Sequence, residues 1–163
     1  MPKIHLTTVI YAPIEIVFDL SRNITMHEES MAHTGEKAIG GIITGLIEEG
    51  ETVTWQAKHL YKTRKLTVRI TQMTPFTQFT DEMQEGVFKS MKHHHYFKPV
   101  KNGTIMIDEF YFESPYGFIG RLVNNIFLTR YMKTLLEERN NIIKEYAETH
   151  RWKTVLQPAG SVR

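Results

Sequence analysis

The sequence contains no cysteine, which excludes disulfides, thiolate nucleophiles and thiolate metal sites at once and fits a reducing compartment. It has no apolar run near the roughly 18 residues a transmembrane helix needs. Its first residues, MPKIHLTTVIYAPIE, lack the apolar stretch and small-residue cleavage site of a signal peptide. A cytoplasmic protein is therefore expected. Neither sign of charge is in excess: 20 Lys and Arg against 18 Asp and Glu leave +2. The basic residues are scattered, so no nucleic-acid partner is expected. Glycine occurs between residues 35 and 50, but in no phosphate-binding order. Gly40 and Gly45 bracket four residues with no Lys-Ser/Thr after them, and there is no G-x-G-x-x-G. A bulged strand or turn is the plainer reading. No G-x-S-x-G occurs either, so a hydrolase triad has no support.

What is present is enough for one folded domain. At 163 residues with 41% hydrophobic and 23% charged residues, the chain is long enough to bury a substantial core and too apolar for disorder. Ile4, Leu6 and Ile10 alternate in a first strand over 3–11. Ala12-Pro13 ends it and opens a short helix over 13–21, with Ile14, Val17, Phe18 and Ser21 at helical spacing. A second helical turn is expected over 23–29. From residue 51 a meander follows: Val53, Trp55, Ala57 and His59 on one strand face, Leu66, Val68 and Ile70 on the next, then Phe79, Asp81 and Met83. Residues 87–113 read as a hairpin turning at Lys101-Asn102-Gly103. On its inward face lie Val87, Met91, His93, His95 and Phe97, facing Met106, Asp108, Phe110 and Phe112.

After Ser114-Pro115-Tyr116-Gly117 the periodicity changes from 2 to 3.6 and predicts one long helix over 118–148. Phe118, Ile119, Leu122, Val123, Ile126, Phe127, Leu135, Leu136 and Ile143 give it a broad apolar stripe. The sheet is the one surface large enough to cover that stripe. The chain is thus α+β: two short helices after strand 1, about seven antiparallel strands, and a long C-terminal helix, in a single domain over 1–149. Residues 150–163 read as a loose tail.

The order of these elements, together with the Ala12-Pro13-Ile14-Glu15-Ile16-Val17-Phe18 segment and the run Thr104 to Asp108 followed by Phe110-Tyr111-Phe112 and Ser114-Pro115-Tyr116-Gly117, resembles the START-like superfamily. This superfamily is also called SRPBCC or Bet v 1-like, and the likeness is to its bacterial polyketide-cyclase-like and coenzyme Q-binding members. The resemblance spans about residues 3 to 148. It implies a helix-grip fold whose curved sheet and long helix enclose a hydrophobic cavity for a lipid, quinone, polyketide or other small apolar ligand. It implies no family-wide catalytic residue.

On this reading Trp55, His59, Met91, His93, His95, Met106, Asp108, Phe110, Leu122 and Ile126 are the candidate ligand-binding residues. His59, Asp81, His93, His95 and Asp108 bring ionisable groups to an inward face, where burial demands partners. Three readings stay open. The group is a satisfied network that sets strand register; or it is a polar patch that orients a ligand carbonyl or hydroxyl; or it is a metal or acid–base site. In the last case His93-x-His95 supplies two imidazoles and His59 or Asp108 completes the set. The spacing alone assigns no metal and no cofactor. Binding of a small apolar molecule, without catalysis, is the expectation. A cyclase or dehydratase using His93 or His95 as base with Asp108 as orienter is the alternative, and a protein-interaction module using residues 26–38 or a strand edge is a third. Arg139 reads as a residue at the edge of the helix stripe. No residue pattern bears on oligomeric state.

Overall fold

A computed structural model of the chain describes residues 1–115 and 118–156, and for residues 118–124 the helical backbone alone. Strand β1 (Lys3–Ile10) leads through Pro13, which caps α1 (Ile14–Ser21), to α2 (Ile24–Ser30). The Asn23 side chain caps α2 by accepting from the Met26 amide at 2.9 Å. A short 3-10 turn (Ala32–Thr34) then precedes β2 (Lys37–Gly41). The meander follows as β3 (Thr52–His59), β4 (Lys62–Thr74), β5 (Gln78–Glu85), β6 (Ser90–Val100) and β7 (Gly103–Glu113). Helix α3 (Phe118–Glu148) and the short α4 (Trp152–Leu156) complete the described chain.

The seven strands form one antiparallel sheet in the order β1-β7-β6-β5-β4-β3-β2. Strands β2 to β7 follow one another by adjacent connections. Strands β1 and β2 occupy opposite edges, so α1 and α2 carry the chain from one edge to the other. The glycine-rich segment is in part a bulged strand and in part turn, the two forms expected: β2 pairs with β3 with a shift between Ala38 and Gly40, and residues 42–50 bend and turn. Gly41 takes a φ of +68°, and a Cβ there would strike the Thr52 carbonyl oxygen. The hairpin turn holds Asn102 at a φ of +67°, as the Asn-Gly pair led one to expect.

Two expectations need correction. Val87 lies before β6 and outside the strand, because pairing with β7 begins at Ser90 opposite Glu113. The tail is also shorter than the sequence implied: α4 packs on α1, and Val155 is buried in the core, so the ordered domain extends past 149. Residues 157–163 lie outside the described part.

Helix α3 makes its close backbone approach to β1, α1 and α2 and stands off from β3 to β6. Its C-terminal half is clamped to the end of β1 and the residue after it: Lys144 Nζ donates to the Val9 carbonyl at 2.6 Å and Glu148 Oε2 accepts from the Tyr11 amide at 2.9 Å. A twisted sheet held to a straight helix along one edge opens a space along the other. Under α1 that space is filled. Phe18 meets Phe76, Phe79 and Phe97 edge-on at 5.5, 5.7 and 5.2 Å between ring centres, and Met106 is sealed beneath Ser21. Phe18→Ala should therefore cost about 3–5 kcal/mol of stability in urea unfolding; a loss below about 1 kcal/mol would show that the α1 face is not the closed core described.

Candidate functional site

Alternation along β5, β6 and β7 puts Asp81, His93, His95 and Asp108 on the concave face of the sheet. Register then brings them together: Asp81 lies opposite His93, and His95 opposite Asp108. The hydrogen bonds run diagonally across these pairs. His93 Nε2 is 2.8 Å from Asp108 Oδ1, and His95 Nε2 is 2.8 Å from Asp81 Oδ2. The two imidazoles lie against each other with centres 3.7 Å apart, and Phe79 stacks on the outer face of His95 at 4.1 Å.

Asp108 has no exposed surface. From α3, Arg139 Nη1 donates to its Oδ1 at 3.2 Å and Asn140 Nδ2 to its Oδ2 at 2.7 Å. Arg139 also donates to Asn140 Oδ1 at 3.0 Å, and Asn140 reaches Thr8 Oγ1 on β1 at 3.4 Å. Burial alone would raise the Asp108 pKa. The hydrogen bond from His93, the nearness of His95 and the Arg139 charge outweigh it and hold the carboxyl well below its usual range. Asp81 is likewise lowered: burial opposes, and the bond from His95 prevails. Ionised carboxylates only accept, so Nε2 of each imidazole carries the proton in these bonds. His93 is pushed down to about 4, by burial first and by His95 second, against the pull of Asp108. At neutral pH it is an uncharged ring.

A cavity of about 260 Å³ lies between this cluster and α3. That is just under the ~300 Å³ at which small-molecule pockets usually begin. Its apolar wall includes Val53, Trp55, Val68, Ile70, Met91, Phe110, Leu135 and Leu136, and its polar wall includes Asp81, His93, His95 and Arg139. A second polar group lines the same space. His27 Nε2 is 3.1 Å from Glu36 Oε1, and its ring lies over Trp55 at 4.2 Å between centres. His59 Nδ1 is 2.8 Å from the Tyr131 hydroxyl, and burial lowers the His59 pKa.

Six of the ten residues expected at the ligand site line the cavity: Trp55, His59, Met91, His93, His95 and Phe110. Met106 does not, because α1 covers β7 at that level. Asp108 stands behind His93 and Arg139 and does not reach the cavity. The Leu122 side chain lies outside the described residues. Ile126 is 59% exposed and Phe127 51%, so the apolar stripe is narrower than its spacing implied. At about 1.5 Å per residue a 31-residue helix spans about 46 Å, while an 11-residue strand spans about 36 Å. The helix outruns the surface that would cover it. Arg139 is buried at the centre of the cluster and not at the helix edge. His59 does not join the His93–His95 pair; Asp81 does. The sequence reading missed His27, Glu36, Tyr131 and Asn140. An Asn beside an Arg on an otherwise apolar helix face was the one available signal.

No protein-family model matches the sequence, and no curated protein matches it. Solved structures do match the fold. The protein TTHA0849 from Thermus thermophilus superposes with a TM-score of 0.68 at 16% identity, covering 87% of this chain and 97% of that one. Ara h 8.0201 gives 0.66 at 10% identity, covering 90% and 97%. A START superfamily protein from Mycobacterium smegmatis gives 0.66 at 10%, again covering 90% and 97%. The chain therefore has the START-like, Bet v 1-like helix-grip fold. Identities this low carry the fold and not the function.

The cluster predicts two stability effects. Asp108→Asn leaves the Arg139 charge buried without its counter-ion and should cost about 3–5 kcal/mol in urea unfolding. In EDTA-treated protein, His93 is neutral when folded and binds a proton near pH 6.5 once unfolded, with a folded pKa of about 4. The unfolded state thus holds the extra proton between those values. Stability should be full above about pH 6.5 and fall by about 3 kcal/mol on acidification to pH 4. A pH series of unfolding midpoints measures the slope, and His93→Gln should flatten it in this window. Below pH 4 the depressed Asp81 and Asp108 continue the loss in both proteins.

Proposed function

We propose that the protein binds a small, mainly apolar molecule in the cavity between β3–β6 and α3, with one polar end of the ligand held at the His93, His95 and Arg139 wall. The observation that carries this reading is that these three side chains line the cavity as well as bracing the sheet. A network used for register alone has no reason to face a void. Among the described residues Arg139 uses only Nη1 on Asp108 and Asn140, so its remaining N–H groups suit a carbonyl or hydroxyl oxygen of the ligand. The apolar wall supplies affinity through burial. The volume suits a small ring system or short chain better than a full-length diacyl lipid. A lipid fragment, a quinone headgroup and a small polyketide all meet this description.

A cyclase or dehydratase reading draws on one specific observation, the bond between His93 and the Asp108 behind it. A base with a pKa of about 4 is weak at neutral pH. Binding without chemistry therefore stands first.

The test is native mass spectrometry of the protein as purified, followed by titration with 1-anilinonaphthalene-8-sulfonate as an apolar probe. One bound probe per chain is expected. Ala57→Phe, which fills the cavity from β3, should weaken probe binding at least about tenfold while the thermal midpoint moves little. If the natural protein carries no small molecule and Ala57→Phe leaves probe affinity unchanged, this cavity is not a binding site.

A further inference from the structure

The network around Asp108 leaves one buried atom unexplained. His95 is 3% exposed, and its Nδ1 makes no hydrogen bond among the described residues. It lies 3.4 Å from Asp108 Oδ1, in a geometry that makes no hydrogen bond. With the ring proton on Nε2, where Asp81 accepts it, Nδ1 turns a lone pair toward a carboxylate. Buried polar atoms left in this state are rare and costly. The other tautomer would give Nδ1 an N–H beside Asp108, a ring rotation short of a hydrogen bond, and would leave a lone pair on Nε2 facing the Asp81 carboxylate. Something positive between Nε2 and Asp81 is what this tautomer lacks.

His93 shows the complementary arrangement. Its Nε2–H is bound by Asp108 at 2.8 Å, which leaves Nδ1 as a lone pair with no hydrogen bond among the described residues. One nitrogen of each imidazole and one oxygen of Asp81 all lie within 4.8 Å of one another. In a four-coordinate zinc site, with bonds near 2.0–2.1 Å, neighbouring ligand atoms are about 3.3 Å apart. The His95–Asp81 pair, at 2.8 Å, is already that close, and modest side-chain rotation closes the rest. The Asp81 side chain, 16% exposed, has room for that rotation.

We propose that Asp81, His93 and His95 form a binding site for a divalent first-row transition-metal ion, with Asp108 as the shared outer carboxylate that orients both imidazoles. The ring proton of His95 moves from Nε2 to Nδ1 and is taken up by Asp108 as a hydrogen bond, so the protein loses no proton. Two imidazoles and one carboxylate are an established set for zinc and non-haem iron. A carboxylate behind each ligating imidazole is the usual support for such an ion. Charge favours it too. Asp108 is answered by Arg139 at 3.2 Å, while among the described residues Asp81 makes no ion pair with a lysine or arginine. All three ligands line the cavity, so the remaining coordination position belongs to water or to an oxygen of whatever the cavity holds. The site does not depend on the ligand-binding reading, and the metal alone tests it.

The experiment is titration of the full, EDTA-treated chain with Zn²⁺ by calorimetry and with Co²⁺ by visible absorption. One equivalent is expected, with the intense d–d bands of four- or five-coordinate cobalt. Asp81→Asn and His95→Gln should each weaken binding at least about 100-fold, and Asp108→Asn about 10- to 100-fold. His94→Gln is the control for adventitious binding by the triple-histidine run, since His94 faces the other way and bonds Thr80 at 2.9 Å. It should leave affinity and spectrum unchanged. Circular dichroism of each variant separates lost folding from lost binding, and the cobalt spectrum of the unmutated protein gives the coordination number that the variants then assign to residues. No uptake up to about 1 mM metal, a weak octahedral spectrum, or binding lost in His94→Gln but kept in Asp81→Asn overturns the proposal.

Discussion

A carboxylate with no exposed surface must have its charge answered within the protein, and the elements that answer Asp108 are those that make the fold. β6 brings His93 and His95, α3 brings Arg139 and Asn140, and Asn140 extends the contact to Thr8 on β1. The cluster thus joins the last strand, its two sheet neighbours and the C-terminal helix. Breaking any one partner leaves another charge or polar group buried and unpaired, which is why such networks demand completeness. It fixes the rotation of α3 about its own axis more tightly than an apolar stripe does, because leucines slide and a guanidinium with two named acceptors does not.

The same constraint explains where the cavity lies. Helix α3 is tied to the end of β1 and the residue after it by Lys144 and Glu148 and to β7 by Arg139 and Asn140. The sheet twists away from that line, so the gap widens toward β3 and β4. Side chains on the near side face each other and satisfy their bonds. Those at the boundary, Arg139, His93 and His95, face the cluster on one side and the open space on the other. The polar wall of the cavity is the inner surface of the structural network. Bracing the sheet and lining the cavity are, for these residues, one arrangement.

Much of this was legible in the chain. Period-2 alternation put His93, His95 and Asp108 on one face, and the structure keeps them there because one register slip would have turned the whole apolar set to solvent. The helix boundaries at 118 and 148 followed from the change of period. Less legible was everything that depends on which strand faces which part of the helix. Arg139 looked like an edge residue because helical spacing locates a residue on a face but does not say what that face meets. Ile126 looked buried for the same reason. Met106 and Met91 had identical credentials in the alternation, yet α1 covers one and the cavity adjoins the other.

Local periodicity, turn residues and the absence of cysteine, long apolar runs and charge blocks were enough to give the main strands and helices, their order and the inward side of those strands, though not α4 or the start of β6. The partners came from the packing of the whole chain: that Asp81 and not His59 lies beside His95, that Asp108 stands behind the cavity wall, and that His27 from α2 and Glu36 from beside β2 come to the same space. Those contacts join residues far apart along the chain. No period within one segment encodes them; the twist of the sheet and the place where the helix is tied down do.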